Sequence, residues 1–582
     1  MESKRWIIKR GLPFLSLFWG LCWLLAGSSA AYAQSNSNIN YYFIPFTDKS
    51  NTPYSVTQPE AFLSERAINR RKKLGIPITE RDLPVSPAYI EQVAGTGAQV
   101  RYASKWFNGV VVGCTSDQLT EIEKLTFVDI EGIDYLRPGE IVDPPGLSKV
   151  RKKKQHSASA SVEAVVPPQD LAEYGKALTQ NQMLGVPFLH MQGKMGSGIL
   201  IAIFDTGFHN VDEIDFFEHL FQEGRIVATY DFVVGETMVY EDDSHGRMVL
   251  SCMAAYKPGW MIGSAPKASF ALLRTEDVSG EYRIEEYNWL RAAEYADSLG
   301  ADLINSSLGY SLFDDPNMSY SQEDLNGKTT VITRAANIAA EVGMLVVNSA
   351  GNEGSDPWKY ITAPADSPTT LAIGAIDDKG HIAYFSSRGP EFYPGIKPDV
   401  VGVGYNTTVV KNGFVGSSNG TSFSSPTVCG MIACLYEAYP QLTPEQLRTA
   451  VRLSGDRSSS PDLTYGYGLP HAQRAAEVIE KDILRSKEYD IAESEFRIYP
   501  NPYDQRQDVL FIEWGKELRG KNARLQIISS DGKLMLERSF SRIAHFGSIT
   551  FERKERPLPA GTYLVKVSIT GHPVLTQRLV IE

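Results

Sequence analysis

Between residues 199 and 452 the chain alternates two textures. Short unbroken apolar runs, Ile199–Phe204, Asp302–Ser306, Met344–Val347 and Leu371–Ala375, have the length and continuity of strands buried on both faces of a parallel sheet. Ile284–Ser298, Ala335–Val342 and Pro444–Arg452 instead repeat their apolar residues every three or four positions, as one face of a helix does. Strand and helix in alternation predict an α/β domain, a parallel sheet flanked by helices, over residues 172–485.

The flanks read differently. In residues 34–150, Gln99–Tyr102, Val110–Gly113 and Phe127–Ile130 read as strands and Leu119–Leu125 as a helix, which predicts a small α+β domain. From Pro138 to Leu171 the composition is that of a linker: Pro144-Pro145, the basic run Arg151–Lys154, then alternating serine and alanine, with residues 151–171 as its body. The basic run is a candidate processing site. Beyond Glu493 the pattern is all-β: Leu525–Ile528, Lys533–Leu536, Ser548–Phe551, Tyr563–Ile569 and Gln577–Ile581 are strands, and Ser530-Asp531-Gly532 marks a hairpin. Residues 494–582 suffice for a small β-sandwich.

The amino terminus sets the compartment. Lys4, Arg5, Lys9 and Arg10 precede an apolar stretch from Leu12 to Leu25, and Ala31-Tyr32-Ala33 closes with small residues before Gln34. That is a secretory signal peptide over residues 1–33, and its apolar core falls short of the ~20 residues a spanning helix needs. The net charge of −12 argues against nucleic acid as a partner, since phosphate binding needs a basic face. With Cys22 removed, four cysteines remain in more than 500 residues, too few for a disulfide framework. Cys429 and Cys434 fall on different faces of a helix and are expected as buried thiols.

Three stretches carry chemistry. Asp205 ends a buried strand in Ile203-Phe204-Asp205-Thr206-Gly207. His245 opens a helix in Asp243-Ser244-His245-Gly246. Ser422 opens another in Asn419-Gly420-Thr421-Ser422-Phe423-Ser424-Ser425-Pro426, with Pro426 placed in the first helical turn. A serine hydroxyl needs an imidazole to take its proton, and the imidazole needs a carboxylate on its other nitrogen. All three can meet at the carboxyl edge of one sheet, where open α/β folds bind ligands.

These stretches resemble the subtilisin-like serine peptidases, whose motifs read D-T-G, H-G and G-T-S-x-x-x-P in this order. The resemblance covers about 310 residues and implies a subtilisin-like fold and a secreted serine endopeptidase working through an acyl-enzyme. It implies Asp205, His245 and Ser422 as the catalytic triad. Ser349–Gly354 resembles the family's oxyanion stretch, so Asn352 and the backbone N–H of Ser422 are expected as oxyanion donors. Ser307, Leu308 and Gly309 resemble the strand that pairs with substrate and walls the specificity pocket, with Glu353 at its rim. Arg247, Phe423 and Ser424 depart from the residues common in the family, which bears on the shape of the pocket and not on the chemistry. The departure leaves Arg247 either facing solvent or altering the surface beside His245.

The same resemblance extends outward. Residues 41–138, with Arg70–Lys73 and Ser104–Asn108, resemble the propeptides of secreted Bacteroidetes subtilases, which implies an intramolecular inhibitor. Tyr499-Pro500-Asn501-Pro502, Leu525–Gly532, Pro559–Tyr563 and Gln577–Ile581 resemble the sorting domain of type IX secretion cargo. That implies the type IX machinery as a partner, passage through the periplasm, and a secreted or cell-surface destination. No cofactor is required for the chemistry. Asp212-Glu213-Ile214-Asp215 and Glu241-Asp242-Asp243 are candidates for structural calcium. Two rivals fit less well. A non-catalytic surface-binding scaffold would not need every triad position filled, and an α/β-hydrolase esterase would want G-x-S-x-G and the opposite residue order.

Overall fold

The computed structural model describes residues 39–139, 165–484 apart from 391, 392 and 394, and 495–581 apart from 500, 504–508, 542, 544, 545 and 551–557. The leader at 1–33 and the basic run Arg151–Lys154 lie outside the described residues.

The N-terminal unit is α+β. Strands β1 (Asn40–Pro45), β2 (Gln99–Ser104), β3 (Gly109–Cys114) and β4 (Asp134–Pro138) form an antiparallel sheet in the order β2-β3-β1-β4. Helices α1 (Glu65–Leu74), α2 (Pro87–Gly95) and α3 (Ser116–Glu123) accompany it. The expected strand at Phe127–Ile130 is not there. Val128 makes a single bridge to Phe46, and Ile130–Gly132 turns as a 3-10 helix. Phe127 and Val128 are buried, so their apolar character reflects a dip into the core rather than a ladder.

The central unit begins with α4 (Leu178–Met183) and α5 (Val186–Met191). It continues through β5 (Leu200–Asp205), α6 (Glu218–Gln222), β6 (Ile226–Asp231) and α7 (His245–Ala254) to a short hairpin, β7 (Tyr256–Lys257) and β8 (Met261–Ile262). Then come β9 (Ser269–Arg274), α8 (Ile284–Leu299), β10 (Leu303–Ser306), α9 (Val331–Glu341), β11 (Leu345–Ser349), β12 (Leu371–Ile376) and β13 (Val400–Val403). A hairpin, β14 (Thr407–Val410) and β15 (Val415–Ser418), leads into α10 (Thr421–Ala438), followed by α11 (Pro444–Leu453) and α12 (Ala472–Val478). Seven strands make one parallel sheet in the order β13-β12-β11-β10-β5-β9-β6. Every residue of β5 and β10 to β13 is buried, which is why these strands read as continuous apolar runs. Helices cover both faces. Ile201 and Ile203 pack into the core that holds α10, and Ala202 and Phe204 into the core that holds α8 and α9.

The C-terminal unit has two antiparallel sheets around one core. One is β16 (Phe496–Tyr499), β17 (Val509–Trp514) and β20 (Phe546–Thr550); the other has the order β19-β18-β21-β22 and comprises β18 (Ala523–Ser529), β19 (Leu534–Phe540), β21 (Gly561–Ile569) and β22 (Leu575–Ile581).

The N-terminal sheet lies on α8 and α9. Tyr41, Phe43, Trp106, Val111 and Leu136 share one core cluster with both helices. Polar ties are dense. The Glu294 carboxylate accepts the Ser104 hydroxyl at 2.6 Å and the backbone N–H groups of Lys105 and Trp106 at 3.0 and 2.9 Å. Asp297, fully buried on α8, pairs with Arg70, with Arg71 at 3.1 Å and with Lys105 at 3.1 Å, all from the N-terminal unit. Burial opposes the charge of Asp297, but Lys105, Arg71 and Arg70 outweigh it and hold the carboxyl down to about 2.

Two buried histidines make the central unit sensitive to acid. His190 accepts the Tyr174 hydroxyl on Nδ1 at 2.7 Å and bonds the Ser264 carbonyl through Nε2 at 3.1 Å, close beneath α10. Burial lowers His190 to about 4, and burial, helped by Arg225, lowers His219 to about 3. An unfolded histidine takes its proton near pH 6.5, so their contribution is whole above that value and fades as pH falls toward 4 and 3. Each histidine is expected to contribute a loss of about 2 kcal/mol at pH 5 relative to pH 7.5, read as the difference between the protein and a variant lacking that histidine, because buried carboxyls such as Glu281 and Glu286, raised by burial, act in the opposite direction. Urea unfolding of the Ser422→Ala protein checks it, and His219→Phe should flatten the dependence.

Candidate active site

Asp205 is the last residue of β5, at the carboxyl edge of the sheet, and is fully buried. Its Oδ1 accepts the Thr206 backbone N–H at 2.9 Å, the Thr206 hydroxyl at 3.2 Å and the His245 Nδ1 at 2.7 Å. His245 opens α7, and its own backbone N–H is received by Asp243 Oδ1 at 2.8 Å, which also accepts the Thr206 hydroxyl at 2.9 Å. Two glycines let these segments close. A Cβ on Gly246 would lie 2.4 Å from the Gly207 carbonyl oxygen, and one on Gly207, at φ 148°, would lie 2.6 Å from Asp242 Cβ.

Burial of the His245 ring works against its charged form. The Asp205 carboxylate, by charge and by hydrogen bond, outweighs this, and Asp243 adds to it, so the ring is raised above 6.5.

Arg247 does not face solvent. It is buried, and its Nη1 donates to the His209 carbonyl at 2.7 Å, while the His209 N–H donates to the Asp243 carbonyl at 3.1 Å. The turn after Asp205 is therefore tied on both sides to the segment carrying His245.

Ser422 is the second residue of α10. Pro426 is the sixth residue of that helix, beyond the expected first turn. Its missing N–H would have bonded the carbonyl four residues back, which is that of Ser422. The Ser307 hydroxyl supplies the donor instead, at 3.0 Å to Ser422 O. Ser307 is in turn held by Asn305 Nδ2 at 3.3 Å, and Asn305 Oδ1 accepts the Ser425 hydroxyl at 3.2 Å. The Ser422 hydroxyl makes a 3.5 Å contact with Ser307 O and no hydrogen bond to His245. The neighbouring Phe423 ring lies 5.5 Å from the His245 ring, centroid to centroid.

Asn352 stands exposed after β11, facing the start of α10. Its Oδ1 accepts the Thr421 N–H at 2.9 Å and the Thr421 hydroxyl at 3.0 Å, which leaves the amide Nδ2 without a hydrogen bond to the described protein. Leu308 has its carbonyl drawn inward by Asn348 Nδ2 at 2.9 Å and the Ser349 hydroxyl at 3.3 Å, whereas Gly309 is exposed. Glu353 is turned inward, its Oε2 accepting the Ser387 hydroxyl at 2.7 Å.

Of the acidic residues considered for calcium, Asp215 pairs with Lys257 at 2.6 Å and Asp242 with Arg274 at 3.2 Å. Among the described residues no group of three or more His, Cys, Asp or Glu side chains is placed to hold a metal ion. The four described cysteines are buried and free, as expected. Thr206 and Thr421 lie inside the D-T-G and G-T-S motifs but were not anticipated as site residues, nor was the role of the Ser307 hydroxyl, and Asp243, considered only for calcium, instead braces His245.

Residues 196–468 match the model of the subtilase family of peptidases. Subtilisin of Bacillus pumilus is 30% identical over 298 residues, covering 50% of this chain and 95% of the relative. This chain belongs to the subtilase family.

Subtilisin DY of Bacillus licheniformis is 30% identical over 301 residues, 50% of this chain and 98% of its own length. The thermostable alkaline protease of Halalkalibacterium halodurans is 29% identical over 306 residues, 52% and 75% respectively. Residues 41–155 match the subtilase propeptide domain of Bacteroidota, and residues 497–582 a secretion system C-terminal sorting domain. The subtilase is thus a subtilisin-like serine protease made as a precursor, and its sorting domain marks it for export to the medium or the cell surface. No helix among the described residues is long and apolar enough to cross a membrane.

The Asp205–His245 pair gives a direct expectation. Followed by NMR in the Ser422→Ala protein, the His245 ring should titrate above pH 6.5. Asp205→Asn removes the two largest raising causes and leaves burial opposed only by Asp243, so the ring should then titrate lower than in the Asp205 protein.

Proposed function

We propose that the chain is a secreted endopeptidase in which Ser422, His245 and Asp205 form a catalytic triad. Ser422 attacks the peptide carbonyl while His245 Nε2 takes the hydroxyl proton, and the same imidazolium then protonates the leaving amine. Water, activated by His245, hydrolyses the acyl-enzyme. Asp205 holds the ring by Nδ1 in the tautomer that leaves Nε2 as acceptor, and offsets the charge that forms. The observation that carries this reading is the 2.7 Å contact between Asp205 and His245 at the sheet edge, with the head of α10 beside it. Substrate binding displaces the Ser422 hydroxyl from the Ser307 carbonyl toward the ring, since such bonds are often long in the free enzyme and tighten in the complex.

Asn352 Nδ2 and the Ser422 N–H receive the oxyanion. The Thr421 donors on Oδ1 support that role, because they orient the amide before any charge develops. The substrate backbone adds beside Ser307, Leu308 and Gly309, and Glu353 contributes to the adjoining pocket. The chemistry needs no cofactor. Residues 34–150 act as an intramolecular inhibitor after removal of the leader at 1–33, residues 151–171 are the processed linker, 172–485 the peptidase and 494–582 the sorting domain engaged by the type IX machinery.

Ser422→Ala should abolish peptide hydrolysis and fluorophosphonate labelling while leaving the thermal midpoint unchanged. Near-normal turnover in that variant would remove the assignment. Asn352→Ala should lower kcat by about 10²–10³ with little change in KM. In the parent enzyme kcat/KM should rise with pH through a limb lying above 6.5, because the base must be neutral.

A further inference from the structure

The geometry points to a shallow pocket for the residue on the acyl side of the scissile bond, closed by the side chain of Thr362, so that the enzyme cuts after short side chains such as Ala and Ser. This rests on the peptidase reading above and adds the substrate class to it.

Two stretches frame the approach to Ser422. Ser307–Gly309 is joined to it through the Ser307 hydroxyl and the Ser422 carbonyl. Gly351–Glu353 is joined to the preceding residue, the Gly351 N–H donating to the Thr421 hydroxyl at 3.3 Å and Asn352 Oδ1 receiving the Thr421 N–H. Gly309 and Gly351 leave bare backbone facing the gap between them. Thr362 stands in that gap. A Cβ on Gly309 would lie 2.0 Å from Thr362 Oγ1, and a Cβ on Gly351 would lie 3.1 Å from the same atom. The threonine cannot easily withdraw, because its N–H donates to the Ala350 carbonyl at 3.2 Å and its carbonyl accepts the Ala365 N–H at 2.8 Å. A second obstruction lies beside it. Glu353 Oε2, held by Ser387, would be 2.3 Å from a Cβ on Gly351.

Depth that a phenyl ring or a leucine side chain would need is therefore filled by a hydroxyl and a carboxylate. Close-packed protein yields poorly to an added ring, whereas a methyl or hydroxymethyl group stops short of the block. Thr362 is 2% exposed and its Oγ1 is buried without a hydrogen-bond partner, packed against Gly309, so it blocks depth rather than receiving a polar group. The floor also has a chemical preference. The carboxylate of Glu353 disfavours an acidic side chain by charge.

The test uses the processed secreted enzyme and a series of anilides Ala-Ala-Pro-Xaa in which Xaa is Ala, Ser, Leu, Phe or Lys. Expected kcat/KM for Ala and Ser exceeds that for Leu, Phe and Lys by about thirtyfold or more. Thr362→Gly should raise kcat/KM for Phe at least about tenfold and so narrow or reverse the ranking, whereas Thr362→Ser, which keeps the hydroxyl, should preserve it. Parent enzyme that cuts best after Phe, Leu or Lys overturns the inference, the last by assigning the pocket to Glu353. So does a Phe/Ala ratio that Thr362→Gly leaves unchanged. Should the glycine variant not fold, the parent ranking alone decides. A fluorophosphonate reports Ser422 independently. Labelled enzyme with the wrong ranking sinks the pocket alone, while unlabelled enzyme sinks the peptidase reading and the pocket with it.

Discussion

A carboxylate removed from water organises the edge of the seven-stranded sheet. Asp205 has no exposed surface, and an ionised carboxyl group survives there only if donors are aimed at it. The Thr206 N–H and the His245 ring donate to Oδ1, and the Thr206 hydroxyl is shared between it and Asp243. The imidazole must present its Nδ1–H, which leaves Nε2 as the acceptor. Asp243 then serves as a brace. It receives the His245 backbone N–H and the Thr206 hydroxyl, while Arg247 and His209 close the same loop from the far side. Glycine at 207 and 246 is required because three backbone segments come together in this space.

A second dependence runs through the helix that carries Ser422. Pro426 cannot donate to the carbonyl of Ser422, so that carbonyl would be a buried orphan inside a helix. Ser307 repairs the defect and thereby joins the end of β10 to the head of α10. A missing hydrogen bond becomes a crosslink between the helix that carries Ser422 and the segment proposed to receive substrate. Asn305 and Ser425 add a parallel link one layer below. Thr421 plays the corresponding part on the other side, binding Gly351 and Asn352.

The N-terminal unit meets the central one through buried charge as well as through its apolar face. Asp297 receives cations from two separate elements, Arg70 and Arg71 on α1 and Lys105 after β2. Removing cations from a buried carboxylate is strongly destabilising, so this contact favours one docking orientation over its neighbours. Beside it, stacking of Phe43 on Tyr287 at 4.8 Å and the Arg334 guanidinium over Phe107 at 4.4 Å anchor the sheet to α8 and α9.

Periodicity and spacing along the chain were enough to determine the α/β class of the centre, the β character of the last ninety residues, and the placing of Asp205 at a strand end and of His245 and Ser422 at helix starts. These are local facts, since burial on both faces forces continuous apolar runs and a helix start leaves its mark within a few residues. The strand expected at Phe127–Ile130 failed because burial alone cannot separate a ladder from a dip into the core. The fate of Arg247, the rescue of the Ser422 carbonyl, the inward turn of Glu353 and the plug formed by Thr362 were decided only by tertiary structure. Each depends on a partner 34 to 115 residues away in sequence, or on a gap between two backbones, and neither leaves a trace in local pattern.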